Sequence, residues 1–411
     1  MSVLIKGGIV VTQDSERRVL VSDVLIEKNR VKNVGKHRVS EADQIIDAKG
    51  KIVMPGMINL HSHVSMSTMR GIADDVTFDQ FLARTFAADA KRTKEDVLGG
   101  ARLGCMESLL TGTTSFLDLY YGEDLVAKAV EEAGIRGFLS WAVLDDDKTT
   151  QKGSPIKNAA KFIDRWKGHK LVTPAVGPQG VYVCSEETMH KARDLADRKR
   201  TFCHYHLSET RGEVYRHLSA TGKRPVDWLA DIGFLREGDV AAHTCWITKH
   251  EAQALADSGV SVAHCPTSNL KLAVGGVAPV IEIKECGGTV GLGTDGCSSN
   301  NSLDMFTEMK VCALLHKHSR WDPTVMSAQR VLDMATVEGA KALGMERKLG
   351  SIEEGKLADI VVVDSNRIGM VPTTKRNAVS NLVYSCGGQF VFCTIVDGKI
   401  VAYDGQLACG S

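Results

Sequence analysis

Two histidines separated by one residue stand at the end of an apolar segment. His61 and His63 follow the strand-like run KIVMPGMINL. Side chains two residues apart leave a β-strand on the same face, so both imidazoles point to one place. Neutral imidazoles are ligands for a borderline metal ion such as Zn²⁺. The pair therefore predicts the first part of a metal site.

Further reactive side chains fall at the ends of other strand-like segments. His206 and Glu209 end the segment HYHLSE, His243 ends VAAH, His264 ends SVAH, and Asp295 lies in GTDG. Any one of these is typical of a buried structural histidine or a turn-capping aspartate. Together they repeat the same position, at the carboxyl end of a strand. A cluster of imidazoles and a carboxylate indicates one divalent metal ion, with Zn²⁺ favoured and Fe²⁺ as the alternative.

The remaining histidines and the cysteines do not join this pattern. Cys203 and Cys265 adjoin candidate ligands but alternate to the opposite face, so we expect no thiolate ligand. Seven histidines fall on helix or loop segments, and we expect them at the surface: His37, His169, His190, His217, His250, His316 and His318.

The elements that position these groups alternate between helix and strand. Eight such units run between residues 55 and 349 and indicate a parallel sheet. Eight units favour a (β/α)8 TIM-type barrel, whose usual length is ~250 residues and whose carboxyl strand ends meet at one mouth. No GxGxxG follows the first strand, which weakens a dinucleotide-binding alternative. Residues 1–54 and 350–411 are rich in short strands and turns, and we expect a small β-sandwich built from both termini.

The composition excludes several other classes of protein. The 50 basic residues balance the 50 acidic ones, so no net field attracts nucleic acid or an anionic membrane. No apolar run approaches the ~20 residues that a membrane span requires. Eleven scattered cysteines without a CxxC pair are typical of a reducing compartment. We therefore expect a cytoplasmic protein without nucleic-acid or membrane partners, and a homo-oligomer remains possible.

Together these segments resemble the amidohydrolase superfamily, in its branch of aminohydrolases and triazine chlorohydrolases. The motifs that carry the resemblance are MPGMINLHSH, MRGIADD, HLSET, AAH, SNLKLAVGGVAPV, GLGTDGCSSNNSLDMFTEMK and GSIEEGKLADIVVVD. The 5′-methylthioadenosine/S-adenosylhomocysteine deaminases are the most similar group. Binuclear relatives use a carboxylated lysine at the end of strand four, where this chain has Gln179, so the resemblance implies a single metal ion.

The resemblance also implies roles for the clustered residues. The metal ligands would be His61, His63, His206 and Asp295. Asp295 would also accept the proton of the attacking water, Glu209 would deliver protons to the ring nitrogen and the leaving amine, and His243 would polarise the reacting group. His264 would support the site from behind. The reaction would hydrolyse an exocyclic amino group from a nitrogen heterocycle and release ammonia.

The substrate stays open because the chain departs from these deaminases. Gln179 stands where they have a histidine that contacts the purine, and Asp89 lies near the position of a glutamate that binds ribose hydroxyls. Trp141 replaces an arginine for a substrate carboxylate; with Tyr120 it is a candidate for stacking on a heterocycle. Ser299 is a further candidate substrate contact. A purine, pyrimidine, pterin or triazine ring is possible, as are dechlorination, cyclic-amide hydrolysis and a catalytically silent binding protein.

Overall fold

The computed structural model describes residues 2–37 and 42–408. The strands of this part are β1 (Ser2–Val11), β2 (Val19–Glu27), β3 (Arg30–Gly35), β4 (Gln44–Asp47), β5 (Lys51–Pro55), β6 (Met57–Ser62), β7 (Thr113–Tyr120), β8 (Arg136–Val143), β9 (Val172–Pro178), β10 (His204–Leu207), β11 (Val240–His243), β12 (Ser261–His264), β13 (Val290–Leu292), β14 (Ile360–Asp364), β15 (Val391–Val396), β16 (Lys399–Tyr403) and β17 (Gln406–Leu407).

The helices of the same part are α1 (Phe78–Asp89), α2 (Lys94–Leu110), α3 (Glu123–Ala133), α4 (Pro155–Trp166), α5 (Glu186–Lys199), α6 (Arg211–Thr221), α7 (Pro225–Asp231), α8 (Lys249–Asp257), α9 (Pro266–Lys271), α10 (Val280–Glu285), α11 (Met305–Arg320), α12 (Ala328–Ala335), α13 (Val337–Ala342) and α14 (Ala378–Tyr384). None of them is long and apolar enough to cross a membrane.

The two ends of the chain share one sheet. Strands β1–β5 and β14–β17 are hydrogen-bonded into a nine-stranded sheet, in which β14 pairs antiparallel with β5. Apolar side chains from both ends form a common core beneath it, including Val3, Ile26, Val53, Ile360 and Ile395. The predicted β domain from both termini is thus confirmed. Its limits at residues 54 and 350 stay a prediction.

Eight parallel strands form the centre of the molecule. They run as two hydrogen-bonded groups of four, β6-β7-β8-β9 and β10-β11-β12-β13. Parallel bridges between Val176 and Cys203 and between Ser62 and Asp295 join the groups into a ring. Helices separate successive strands, so the α/β class and the (β/α)8 barrel are confirmed. The carboxyl ends of β6, β10, β11 and β12 carry the histidines predicted there.

Local signals in the sequence start the helices that surround the barrel. The hydroxyl of Thr77 accepts the N–H of Gln80, whose side chain accepts the N–H of Thr77, and this capping box starts α1. Thr93 and Asp96 form a second box at α2. Helix α1 therefore begins at a defined residue shortly after the His61–His63 strand, and this position brings it to the mouth of the barrel.

A buried ion pair joins the barrel to the terminal sheet. Arg136, the first residue of β8, donates to both carboxylate oxygens of Asp359, at 3.1 and 3.2 Å. Asp359 also accepts the backbone N–H of Asp397 at 2.8 Å, and its carbonyl accepts the N–H of Gly56. Both charged side chains are buried, so each is the partner that compensates for the other's lost hydration.

Candidate active site

The predicted histidines meet at the mouth of the barrel. One ring nitrogen from each of His61, His63 and His206 falls within a group whose members are all less than 4.8 Å apart. The Nε2 atoms of His63 and His206 are 3.3 Å apart. A second group of the same size joins His61 with His243 and Asp295. The strand-end positions read from the sequence therefore converge in space.

Hydrogen bonds on the far side of the His63 and His206 rings orient the nitrogen that faces the cluster. Nδ1 of His63 donates to the carbonyl of Leu119 at 2.5 Å, and Nδ1 of His206 donates to that of Gln179 at 2.7 Å. Both rings thus present Nε2 as a lone pair toward the cluster. Nε2 of His61 is buried and has no hydrogen-bond partner. A buried nitrogen without a partner, facing two others, fits a metal ion of the zinc type.

Asp295 completes the cluster and is held on three sides. Its Oδ1 lies 3.2 Å from Nε2 of His63, and its Oδ2 accepts the hydroxyl of Ser268 at 2.6 Å. Its own backbone N–H donates to the carbonyl of His61. The residue has φ +63°, a left-handed conformation that is unusual for a non-glycine side chain and typical of functional sites.

Glu209 is a buried carboxyl beside this cluster. Burial raises its pKa well above the usual range, and the negative charges of Asp295 and Glu213 act in the same direction. The backbone N–H of Glu209 donates to Glu213 at 2.8 Å, which fixes the chain at this point. A carboxyl group whose pKa is raised in this way holds its proton to higher pH than an exposed glutamate does, and is suited to act as a general acid.

His243 faces Glu209 from the next strand. Its Nδ1 lies 3.9 Å from the carboxylate of Glu209 and 3.0 Å from the side-chain nitrogen of Asn269. Because the amide N–H donates to Nδ1, Nε2 carries the ring proton. Burial lowers the pKa of His243 to about 4, so the ring is neutral at physiological pH. The residue is again left-handed, with φ +72°.

A cavity of about 750 Å³ opens over these groups. Of the residues predicted to touch substrate, Gln179, Asp89 and Ser299 line it. Trp141 does not: its ring packs on Phe162, 5.6 Å between centroids, on the helix side of β8. Its indole N–H donates to Gln151 at 2.8 Å.

The chain is similar to known proteins in sequence and in fold. Residues 52–401 match the model of the amidohydrolase family. The chain belongs to the amidohydrolase family. A 5-methylthioadenosine/S-adenosylhomocysteine deaminase of Thermococcus onnurineus is 43% identical over 411 residues, covering 99% of this chain and 95% of that protein. A 5′-deoxyadenosine deaminase of Methanosarcina mazei is 40% identical over 406 residues, covering 98% and 93%.

A solved structure shares the whole architecture of this amidohydrolase. An adenosine deaminase from Xanthomonas campestris with bound zinc has a TM-score of 0.94 and 31% identity, over 100% of this chain and 94% of that one. The predicted reaction class, removal of an exocyclic amino group from a nitrogen heterocycle with release of ammonia, is confirmed. The predicted dependence on a divalent metal ion is confirmed as well.

Asp89 forms a polar corner in the cavity of the amidohydrolase. Its two carboxylate oxygens accept the hydroxyls of Tyr120 and Tyr121, and Arg92 approaches at 3.4 Å. Tyr120 is therefore a hydrogen-bond donor in this structure. Burial raises the pKa of Asp89 despite these donors. The hydroxyl of Ser299 donates to the carbonyl of Gly296 at 3.0 Å and so fixes the loop after Asp295.

His264 lies behind the cluster in a separate buried group. Its Nε2 is 3.1 Å from Nε2 of His316, and Cys312 completes a set whose ligand atoms lie within 4.8 Å of one another. His316 is fully buried, so the prediction that it lies at the surface is wrong. Helix α11 carries His316 on the face that packs against the barrel. The alternation of residues along the strands does not predict this contact.

Sequence reasoning missed three groups that contact the site of the amidohydrolase. His204 places its Nε2 2.9 Å from Nδ1 of His61. Asn269 is hydrogen-bonded to His243, and Ser268 is hydrogen-bonded to Asp295. The signal for His204 was present, because HYH repeats the spacing of HSH on another strand. Asn269 and Ser268 lie in the segment PTSNLKL, which contains no histidine, cysteine or carboxylate that would indicate a role at a metal site.

Proposed function

We propose that the protein is a zinc-dependent deaminase of adenine nucleosides. The observation that carries this proposal is the position of Asp89: a buried carboxylate shares one cavity with Glu209 and the histidine cluster. Its oxygens accept the hydroxyls of Tyr120 and Tyr121, and a ribose hydroxyl could take the place of the Tyr121 hydroxyl, so the cavity offers one subsite for a heterocycle and one for ribose. The deaminases at 40% and 43% identity act, by their names, on adenine nucleosides.

His61, His63, His206 and Asp295 would hold the zinc. When bound, zinc acts as a Lewis acid that acidifies a water molecule. Asp295 would accept a proton from the attacking water, because its carboxylate lies beside the histidine nitrogens. The orphaned Nε2 of His61 and the zinc in the Xanthomonas campestris structure support this assignment.

Glu209 and His243 would act on the purine. Protonated Glu209 donates to the ring nitrogen next to the amino-bearing carbon, so the carbon becomes more electrophilic. Its carboxylate would then take the proton of the hydroxyl group that has added to the carbon and deliver it to the amine. The carbon–nitrogen bond breaks, ammonia leaves, and transfer of the proton held by Asp295 restores protonated Glu209. His243 donates from Nε2 and stabilises the oxygen that adds to the carbon. Gln179 lines the same cavity and would contact the purine edge through its amide.

The proposal is tested by ammonia release across a panel of amino heterocycles. Zinc-loaded protein is incubated with adenosine, 5′-deoxyadenosine, guanosine, cytidine, a pterin and an aminotriazine. Products are separated by chromatography. We expect ammonia and the matching inosine derivative from the adenine nucleosides. Glu209→Gln with normal zinc content serves as the inactive control. Turnover of a pyrimidine, pterin or triazine without turnover of any adenine nucleoside would overturn the proposal.

A further inference from the structure

Helix α1 lines the cavity with a face that is apolar along most of its length and acidic at its carboxyl end. Residues 78, 81, 82, 85, 86 and 89 line it, a spacing that places them on one side of a helix. The face is apolar at Phe78, Phe81, Leu82 and Phe86 and ends in the carboxylate of Asp89. At 1.5 Å per residue, Phe78 and Asp89 lie roughly 16 Å apart along the helix. A substrate held at Asp89 by its ribose therefore has an apolar helix surface beside it.

The cavity contains no basic side chain to pair with a substrate anion. Among the described residues that line it, none is lysine or arginine, whereas Asp89, Glu209 and Asp295 are acidic. An ionised phosphate or carboxylate that enters such a site loses its hydration without gaining a partner. The acidic lining adds repulsion. A bound zinc ion would be taken up by the reacting heterocycle and would not be available to a group at the 5′ end of the nucleoside.

We propose that this cavity selects nucleosides whose 5′ substituent is small, apolar and uncharged, and rejects those whose 5′ substituent bears a phosphate or an amino-acid group. The inference rests on the proposed adenine-nucleoside deaminase. A hydrogen atom or an alkylthio group at the 5′ carbon would pack on Leu82 and the phenyl rings of α1, where burial of apolar surface is favourable. S-adenosylhomocysteine would bring a carboxylate and an ammonium group to the same surface.

Two arginines lie near the cavity but are not among the residues that line it. Arg92 is committed to Asp89, to the hydroxyl of Tyr120 at 2.9 Å and to the carbonyl of Ser65. Arg216 lines a separate pocket of about 340 Å³. Phe78, Leu82, Tyr182 and Glu209 line both pockets, so Arg216 lies next to the cavity without being part of its lining.

The test compares kcat/KM for nucleosides that differ only at the 5′ position. Zinc-loaded protein is assayed with 5′-deoxyadenosine, 5′-methylthioadenosine, adenosine 5′-monophosphate and S-adenosylhomocysteine. We expect the first two to exceed the last two on the order of 100-fold or more, because the charged groups find no partner. Values for the charged substrates within a few-fold of 5′-deoxyadenosine would overturn the inference while leaving the proposed function intact. Absence of turnover with all four would instead overturn the proposed function, and the inference with it.

Variants on the apolar face provide the matched comparison. Leu82→Arg introduces a cation on the lining and should raise the ratio of monophosphate to 5′-deoxyadenosine turnover by about tenfold or more. Leu82→Met keeps the volume without the charge and should leave the ratio unchanged. Phe86→Arg, at a position 47% exposed, is the second variant if Leu82→Arg does not fold. Arg216→Gln should not change the ratio; a fall in S-adenosylhomocysteine turnover alone would show that Arg216 binds its carboxylate and would contradict the inference.

Discussion

Nδ1 of His61 lies 2.9 Å from Nε2 of His204, so one His-x-His pair supports a member of the other. His204 is fully buried, and its Nδ1 lies 3.4 Å from the hydroxyl of Ser140 and from the carbonyl of Asp118. With a proton on Nδ1, His204 donates on that side and accepts the Nδ1–H of His61 on the other. This relay leaves Nε2 of His61 free for a metal ion.

Replacement of His204 should therefore weaken metal binding. We expect His204→Ala to lower zinc affinity by about 10–100-fold, because His61 loses the partner that fixes its tautomer. The measurement is a chelator competition on folded protein. His250→Ala, at a side chain 83% exposed, is the control and should bind zinc as the unmodified chain does. Equal affinities for both variants would show that the relay does not support the metal.

Loss of the buried acid should separate chemistry from metal binding. Glu209→Gln is expected to lower kcat by about 10²–10⁴-fold on the nucleoside with the highest activity, because the proton donor is gone. Zinc content and the thermal midpoint should stay normal. Glu237→Gln replaces an exposed glutamate and should retain full activity. A turnover number for Glu209→Gln close to that of the unmodified protein would remove Glu209 from the mechanism.

The pH profile should contain an alkaline limb set by Glu209. Burial raises the pKa of this carboxyl, and Asp295 and Glu213 add to the shift. The general acid is active when protonated, so activity is present below that pKa and declines as pH rises through it. Glu213→Gln removes one negative neighbour and should move the limb to lower pH. A limb that stays in place in this variant would assign it to another group.

The buried ion pair between barrel and sheet should matter for stability. Asp359→Asn removes the nearer of the two carboxylates around the guanidinium of Arg136 and leaves Asp397 at 3.9 Å, so we expect a loss of about 1.5–3 kcal/mol in the free energy of unfolding. Asp364→Asn is the control, because its partner Arg367 has a side chain that is 59% exposed. A loss of less than about 1 kcal/mol is expected there. Urea denaturation measures both, and similar losses would contradict the assigned role of Asp359.

Metal content tests the prediction of a single ion. We expect one zinc per chain by elemental analysis, removed by chelator together with activity and restored by zinc. His61→Ala should reduce the content to near zero. His316→Ala should not change it, because the group of His264, Cys312 and His316 lies apart from the cavity. Two ions per chain, with one lost in His316→Ala, would identify a second site.

The sequence was sufficient for the barrel and for the groups at its strand ends. Strand alternation and strand position are local properties, so His61, His63, His206 and Asp295 could be found without a structure. Family resemblance made Trp141 a candidate substrate contact, but it did not indicate on which face of β8 the side chain lies. In the structure Ser140 faces His204 and Ala142 lines the cavity, so the residue between them faces the helices.

Contacts between distant elements account for the remaining differences. The partnership of His204 with His61 crosses the barrel, and that of His316 with His264 joins a helix to a strand. The side-chain periodicity of a single strand or helix does not predict either of these contacts. The tyrosine hydroxyls on Asp89 likewise depend on how α1 lies against β7, which the capping box of α1 does not determine.

The bridge between Ser62 and Asp295 has a consequence for biogenesis. It closes the ring of strands, and the same residue brings the carboxylate to the histidines. A nascent chain that has emerged only as far as β12 already contains His61, His63 and His206 but has neither closure nor the fourth ligand. Because a domain generally folds as a unit, we expect the ion to enter only after β13 and Asp295 have joined the ring. A zinc ion retained against a chelator is then a marker of a completed barrel, and a truncated chain would not carry it.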